Sequence, residues 1–198
     1  MYPLVEIFES LQGEGRHTGR PCVFVRFAGC NLDCPWCDTN KAKHFELSLA
    51  ELVAEVKTYR AKNVILTGGE PTIQKGMDEL ITALKQAGYW LAVETNGLSA
   101  PAWLQGVDYV ACSPKAEYAE RYDESSILSR ANEVRIVASN PEIVVFANKI
   151  KGLITADDYY ISPCERNGNI DFATAKDVLS HLDGFSLSVQ LHKILGFR

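Results

Sequence analysis

Residues 22–37, CVFVRFAGCNLDCPWC, join a strand to a cysteine-rich loop, and that junction decides how the rest of the chain is read. The first half, Cys22 to Phe27, is rich in Val and Phe and stops at Gly29-Cys30, the signature of a buried strand. The second half spaces Cys30, Cys34 and Cys37 as C-x3-C-x2-C, and Asn31, Asp33 and Pro35 favour turning over helix. The strand therefore delivers its C-terminal end to three thiolates that can converge on one inorganic centre. A [4Fe–4S] cube usually takes four cysteines, so three leave one iron open to an exogenous ligand, which implies chemistry. Spacing alone also admits a structural zinc, completed by His44 or by a distant cysteine.

Outward from this junction the same grammar repeats. Asn63 to Leu66 reads as a strand entering Thr67-Gly68-Gly69-Glu70-Pro71, Trp90 to Val93 as one entering Glu94-Thr95-Asn96-Gly97, and Asp108 to Ala111 as one entering Cys112-Ser113-Pro114-Lys115. Glu133 to Ala138, Asp158 to Ile161 and Phe185 to Val189 continue the series, the second leading into Ser162-Pro163-Cys164. Between them lie amphipathic helices. Ser48-Leu49-Ala50-Glu51 is a capping box, followed by Leu52, Val53 and Val56 on the face of Leu49, and Met77, Leu80, Ile81 and Leu84 repeat the spacing. Asn140-Pro141 opens a third helix with a cap and an N1 proline, and Phe172, Ala175, Leu179 and Leu182 align along a fourth. These apolar faces read as core. Strand, polar turn and helix in alternation predict an α/β fold whose parallel sheet curls toward a TIM-like barrel, with the chemistry at the strand C-terminal ends. The chain is too short for eight full repeats, so the barrel is expected to be incomplete. A cofactor lying across several strand ends needs such turns on successive strands, whereas a structural zinc does not, and this favours iron–sulfur.

The bulk numbers set the class. The chain has 198 residues, 46% hydrophobic and 23% charged, which suits one packed domain spanning 1–198. A formal net charge of −5 without a Lys/Arg-rich run argues against nucleic acid as a partner. No apolar stretch reaches the length of a membrane span and no signal peptide is apparent, so no membrane partner and a cytoplasmic location are expected. Six cysteines, three of them crowded into eight residues, fit a reducing compartment and a metal better than a disulfide framework. Cys22, Cys112 and Cys164 read as buried or bystander thiols.

The C-x3-C-x2-C loop with Trp36 before its last cysteine, together with Gly68-Gly69-Glu70-Pro71, resembles the signature of the radical S-adenosylmethionine superfamily. Within it the chain resembles the 7-carboxy-7-deazaguanine synthase family over nearly its whole length: in Glu6-Ile7-Phe8 running into Leu11-Gln12-Gly13-Glu14-Gly15, in Val25-Arg26-Phe27, in Trp36-Cys37-Asp38-Thr39, in Glu94 to Gly97, in Ser113-Pro114-Lys115 and in Gln190-Leu191-His192-Lys193. The resemblance implies a [4Fe–4S] cluster on Cys30, Cys34 and Cys37. It implies S-adenosylmethionine against Trp36, Cys37, Asp38, Gly69, Ser113, Pro114 and Lys115, bordered by Ser162 to Glu165, and Mg2+ on Thr39. Substrate contacts are implied for Leu11, Gln12, Gly13, Arg26 and Thr67. Gln190, His192 and Lys193, read at the end of the last strand, are expected to close the substrate pocket, a satisfied structural histidine being the other reading of His192.

No side chain is assigned as acid or base, because the radical arises at cluster-bound S-adenosylmethionine. The implied reaction turns 6-carboxy-5,6,7,8-tetrahydropterin into 7-carboxy-7-deazaguanine with loss of ammonia, in a homodimer reduced by a flavodoxin or ferredoxin. Arg26 then pairs with the substrate carboxylate, and a threonine hydroxyl with substrate oxygens and waters is the sparse oxygen site magnesium accepts. Apart from the resemblance, Arg26 reads as a surface or capping arginine, Thr39 as a turn residue, Lys115 as a solvated lysine and Glu94 as a brace of the sheet. One rival is an activase that places a glycyl radical on a partner protein; Gln12 to Gly15 and Thr39 argue against it. The other is a non-catalytic zinc or electron-transfer module.

Overall fold

Along each central strand apolar side chains alternate between two buried faces, and that parity positions the site. The computed structural model describes residues 1–35, 37, 42–123 and 125–197. β1 (Tyr2–Leu11) pairs antiparallel with β2 (Pro21–Phe27), and β3 (Phe45–Leu47) pairs antiparallel with the other edge of β1. From β2 the sheet continues in parallel through β4 (Asn63–Gly68), β5 (Trp90–Thr95), β6 (Tyr109–Cys112), β7 (Arg130–Ala138) and β8 (Thr155–Arg166). β9 (Asn169–Asp171) folds back on the end of β8, and β10 (Ser186–Leu187) adds the last parallel edge. The spatial order β3-β1-β2-β4-β5-β6-β7-β8-β10 runs from edge to edge, the mostly parallel open sheet of an incomplete barrel.

The helices cover the outer face. α1 (Leu49–Lys57) starts at the expected capping box, in which Ser48 Oγ accepts from Glu51 N–H while the Glu51 carboxylate accepts from Ser48 N–H. α2 (Met77–Gln86), α3 (Ile143–Leu153) and α4 (Phe172–Ser180) follow. Leu52, Val56, Leu80, Leu84, Ile150 and Val178 pack against Val23, Val25, Leu66, Val93 and Ile136. Full burial of such side chains stabilises by about 1.5–3 kcal/mol each. The opposite parity forms a smaller inner cluster of Phe8, Cys22, Phe24, Ile65, Ala92, Tyr109 and Ala111 at the lower end of the barrel. Towards the C-terminal ends of the strands the inward positions turn polar: Arg26, Thr67, Glu94, Ser113, Arg135 and Ser162.

Three sequence expectations are corrected. Pro141 does not open a helix: Asn140 Oδ1 accepts from Glu142 N–H at 2.9 Å, and this side-chain turn defers α3 to Ile143. Leu182 lies beyond α4, packing on the core from the turn after it. The last strand covers only Ser186–Leu187 rather than Phe185 to Val189. Ser188 N–H still donates to Ile161 O of β8 at 2.9 Å while its Oγ accepts from Gly15 N–H, and the chain then leaves the sheet for the short helix α5 (Leu191–Leu195). Gln190, His192 and Lys193 therefore sit at the start of a helix, not at a strand end. No helix among the described residues is long and apolar enough to cross a membrane.

Candidate active site

At the root of the cysteine loop two backbones come unusually close. Gly69 N–H donates to Phe27 O and Glu70 N–H to Gly29 O, each at 2.9 Å, so the turn after β4 lies directly on the turn after β2. A Cβ on Gly69 would overlap the Gly29 carbonyl, and Gly68 holds φ +116°, so this pair needs glycine for space and for conformation. Glu70 is buried behind them. It accepts from Thr72 N–H (3.0 Å), Thr72 Oγ1 (2.7 Å), Thr95 Oγ1 (2.7 Å) and Asn96 N–H (2.8 Å), which ties the turn after β4 to the turn after β5. From there Asn96 Nδ2 donates to Asn31 Oδ1 at 2.7 Å inside the cysteine loop. The 116–123 segment supports the loop from the other side, where Tyr118 Oη accepts from Asp33 N–H at 3.0 Å and Arg121 donates to Asn31 O at 3.2 Å. The two turn motifs thus act as a scaffold for the cysteines.

A cavity of about 260 Å³ opens beside this scaffold at the C-terminal ends of the strands, and Cys30, Cys34 and Cys37 all face it. Leu32 N–H donates to Cys30 Sγ at 3.4 Å, the kind of amide contact that stabilises a ligating thiolate. Burial pushes the Cys34 thiol up, Lys115 draws it back, and Cys37 and Cys30 push it up again, so the three sulfurs share one electrostatic neighbourhood. Among the described residues no three His, Cys, Asp or Glu side chains close on a single ion, and His44 does not reach the cavity.

The cavity floor is a charged network centred on Arg135, whose side chain is 5% exposed. Arg135 Nη1 donates to Glu14 at 2.6 Å and Nη2 to Glu94 at 2.8 Å, while Nε lies 3.1 Å from Glu133 without hydrogen-bond alignment. Glu94 also accepts from Gln12 Nε2 (3.0 Å) and Thr67 Oγ1 (2.9 Å). Burial alone would raise the Glu94 carboxyl; the Arg135 charge and the hydrogen bonds from Arg135, Gln12 and Thr67 outweigh it and bring it down to about 2. Burial likewise disfavours the Arg135 cation, and the three carboxylates more than restore it. Glu133, below the floor, accepts from Tyr109 Oη and Arg16 N–H at 2.9 Å each.

The C-terminal segment closes one side of the cavity. Gln190 Nε2 donates to Glu14 at 2.7 Å, Leu191 N–H to Gly13 O at 2.9 Å, and the His192 ring covers Gly13 so closely that a Cβ there would strike it. Lys193 pairs with Glu165 at 3.0 Å. Arg26 pairs with Glu6 at 2.8 Å beside Phe8, Lys115 donates to Ser113 Oγ at 2.7 Å, and Ser162 Oγ is buried with no hydrogen-bond partner among the described residues.

Of the residues singled out in the sequence, Leu11, Gln12, Gly13, Arg26, Cys30, Cys34, Cys37, Thr67, Gly69, Ser113, Lys115, Ser162, Gln190, His192 and Lys193 line this one cavity. Pro114 is buried next to it without facing it. Trp36, Asp38 and Thr39 lie outside the described residues. Cys22 and Cys112 are buried away from the cavity, their thiols pushed up by burial to about 11 and about 12; Cys164 is buried but lies in its wall. Glu14 and Arg135 were not marked as site residues by the sequence, and Glu94, read as a brace, reaches the floor itself.

This geometry can be set beside known proteins. The pattern of the Radical SAM superfamily matches residues 24–132. The 7-carboxy-7-deazaguanine synthase of Neisseria meningitidis serogroup B is 47% identical over 202 residues, covering 98% of this chain and 93% of that protein. The chain belongs to the 7-carboxy-7-deazaguanine synthase family. The 7-carboxy-7-deazaguanine synthase of Haemophilus influenzae is 46% identical, again over 98% of this chain and 93% of the relative. The crystal structure of QueE from Escherichia coli superposes with a TM-score of 0.73 at 27% identity, covering 96% of this chain and 94% of that one. A [4Fe–4S] cluster and S-adenosylmethionine are the cofactors of this deazaguanine synthase family as members of the radical SAM superfamily. The cavity, with three thiols on its upper wall and a polar floor, has the residues to receive them.

Proposed function

We propose that this chain converts 6-carboxy-5,6,7,8-tetrahydropterin to 7-carboxy-7-deazaguanine with loss of ammonia, a step toward queuosine and other deazapurines. The observation that carries the reading is the cavity itself: three loop thiols above a floor where Glu14 and Glu94 are held as acceptors. When bound, the cluster and S-adenosylmethionine supply a carbon-centred radical able to take hydrogen from an unactivated position.

The protein supplies binding and orientation. Cys30, Cys34 and Cys37 hold the cluster; Gly69, Ser113, Pro114, Lys115 and Ser162, with Trp36 and Asp38, hold S-adenosylmethionine. The orphan Ser162 hydroxyl supports that assignment, because a buried hydroxyl without a partner costs about 1–3 kcal/mol and a ligand atom would satisfy it. Leu11, Gln12, Gly13, Thr67 and Gln190 surround the pterin, and Arg26 pairs with its carboxylate, exchanging part of its contact with Glu6. Glu14 and Glu94 accept from the amino and ring N–H groups of the pyrimidine edge. Thr39 ligates Mg2+ together with substrate oxygens. The enzyme works as a cytoplasmic homodimer of single-domain chains spanning 1–198, takes electrons from a flavodoxin or ferredoxin, and needs neither nucleic acid nor membrane.

The test is anaerobic reconstitution with iron and sulfide, then assay with dithionite, S-adenosylmethionine, Mg2+ and the tetrahydropterin, with products read by mass. Formation of 7-carboxy-7-deazaguanine, lost in Cys34→Ala, is the expected result. Deoxyadenosine without that product would redirect the reading to a glycyl-radical activase.

A further inference from the structure

We infer that Arg135 is a positioning residue that sets substrate discrimination, by holding Glu14 and Glu94 as a fixed pair of acceptors for the donor-rich edge of the heterocycle. The inference rests on the proposed function and deepens it. Arg135 comes from the middle of β7, Glu94 from the end of β5 and Glu14 from the turn after β1. Glu94 is also held by Gln12 and Thr67, and Glu14 by Gln190, but among the described residues it is the rigid fork of one guanidinium that joins the two carboxylates to each other, at 2.6 and 2.8 Å. Glu133, itself held by Tyr109 and Arg16, places its charge 3.1 Å behind the fork without a hydrogen bond to Nε, so the fork is aligned by its two Nη contacts and backed by that charge.

Charge makes the arrangement costly as mere structure. One guanidinium faces three carboxylates, leaving an excess of negative charge at a depth where an apolar cluster would fold at lower cost. The donors that offset it, from Gln12, Thr67, Tyr109 and Gln190, are all neutral. A cavity floor with surplus acceptors fits a ligand edge with adjacent N–H donors. The 2-amino-4-oxopyrimidine edge of a pterin is such an edge, and ring contraction leaves it intact, so substrate and product carry the same donors. Contacts to a group unchanged between ground state and transition state contribute uniform binding, which appears in KM and not in kcat.

The experiment compares reconstituted wild type with Arg135→Lys, whose single ammonium cannot span two carboxylates from separate elements. Steady-state constants are measured for the tetrahydropterin and for its analogue lacking the 2-amino group, alongside S-adenosylmethionine affinity and uncoupled deoxyadenosine formation. The variant should show KM for the pterin raised about tenfold or more, the size expected for one or two misplaced charge-assisted hydrogen bonds. Its kcat, S-adenosylmethionine affinity and uncoupled turnover should stay near wild type, and the preference for the amino-bearing pterin should shrink by a similar factor. An unchanged preference, or losses in kcat and S-adenosylmethionine binding in step with KM, overturns the inference and leaves Arg135 a structural ion. If Arg135→Lys does not fold, Glu133→Gln keeps oxygen acceptors for Tyr109 and Arg16 while loosening the fork; a reduced preference supports the inference and an unchanged one overturns it. A wild-type enzyme inert toward the pterin would instead remove the functional reading beneath it.

Discussion

Replacing Gly69 by alanine tests the scaffold with a single methyl group. A Cβ at this position overlaps the Gly29 carbonyl and comes within 3.1 Å of Cys30 N. Non-bonded heavy atoms settle about 3.5 Å apart, whereas the Cβ would lie at less than half that distance from the Gly29 oxygen, so the turns after β2 and β4 must separate by on the order of 2 Å. The separation strains the two 2.9 Å backbone bonds, Gly69 to Phe27 and Glu70 to Gly29, that register the turns. Two bonds at about 1 kcal/mol each, with overpacking of about 1–3 kcal/mol, give a loss of about 3–5 kcal/mol. Cys30 begins where the shift is largest, and a displacement of about 1 Å in a reacting constellation can cost roughly 100-fold in rate. The assay is iron and sulfide content after anaerobic reconstitution, with thermal unfolding and turnover on the same preparation. Gly152→Ala is the control: it lies inside α3 with nothing near its Cβ, and it should stabilise by about 0.5–1 kcal/mol and leave the cluster unaffected. Gly69→Ala with full iron content and wild-type turnover would falsify the claim that these glycines serve the cysteine loop.

Three further outcomes follow from the same contacts. Glu70→Ala leaves the Asn96 amide and the Thr72 and Thr95 hydroxyls without their acceptor, so it should destabilise by several kcal/mol, at about 1–3 kcal/mol per orphaned group, and lower cluster content; unfolding midpoints and iron analysis that match wild type would refute it. The Glu94 carboxyl is lowered in the folded state from an ordinary 4.5 to about 2, so its contribution is fully present above pH about 4.5 and is lost as pH falls toward 2. Urea unfolding of wild type and Glu94→Gln should therefore show a stability gap that narrows from pH 5 to pH 3 (about two units of acidification), and a constant gap would contradict the network. Ser162→Ala removes a buried hydroxyl that has no partner among the described residues, so unfolding should be unchanged or slightly favoured against, while the dissociation constant for S-adenosylmethionine rises several-fold; an unaltered constant would detach Ser162 from that ligand.

How much of this was legible in the sequence depends on burial. The central strands β2 and β4 to β8 are covered on both faces for much of their length, so they appear as apolar runs that end in turn motifs. β1 escaped because Glu6, Glu9 and Ser10 interrupt its apolar residues: an antiparallel strand near the open edge has partly solvated positions. The stretch from Phe185 to Val189 has the composition of a strand, yet only two residues pair before the chain turns into α5, and the Ser188 side chain is held by Gly15, a contact 173 positions away that no local pattern contains. Gln12-Gly13 stood out only through the family resemblance, whereas the cysteines and the glycine pair were legible because each carries a chemical or conformational demand. Arg135 was not, although Val134 and Ile136 flank it in a strand. A charged residue inside an apolar run announces a buried partner, but only the folded sheet shows that its parity is inward and that Glu14 and Glu94 meet it there.

The two halves of the site come together on adjacent residues of one strand. At the end of β5, Glu94 points inward to Arg135, and Thr95 points the other way to Glu70, one peptide unit further on. The first contact belongs to the floor of the cavity, the second to the scaffold that carries the cysteine loop. Alternation along a strand forces neighbouring side chains onto opposite faces, so a single strand end can serve both without either contact crowding the other. Because the peptide between them is rigid, the depth of the floor and the height of the cysteine loop are set from one reference point. Reactions that begin with hydrogen abstraction depend on that distance, and here the two side-chain contacts that set it leave from consecutive residues of one strand.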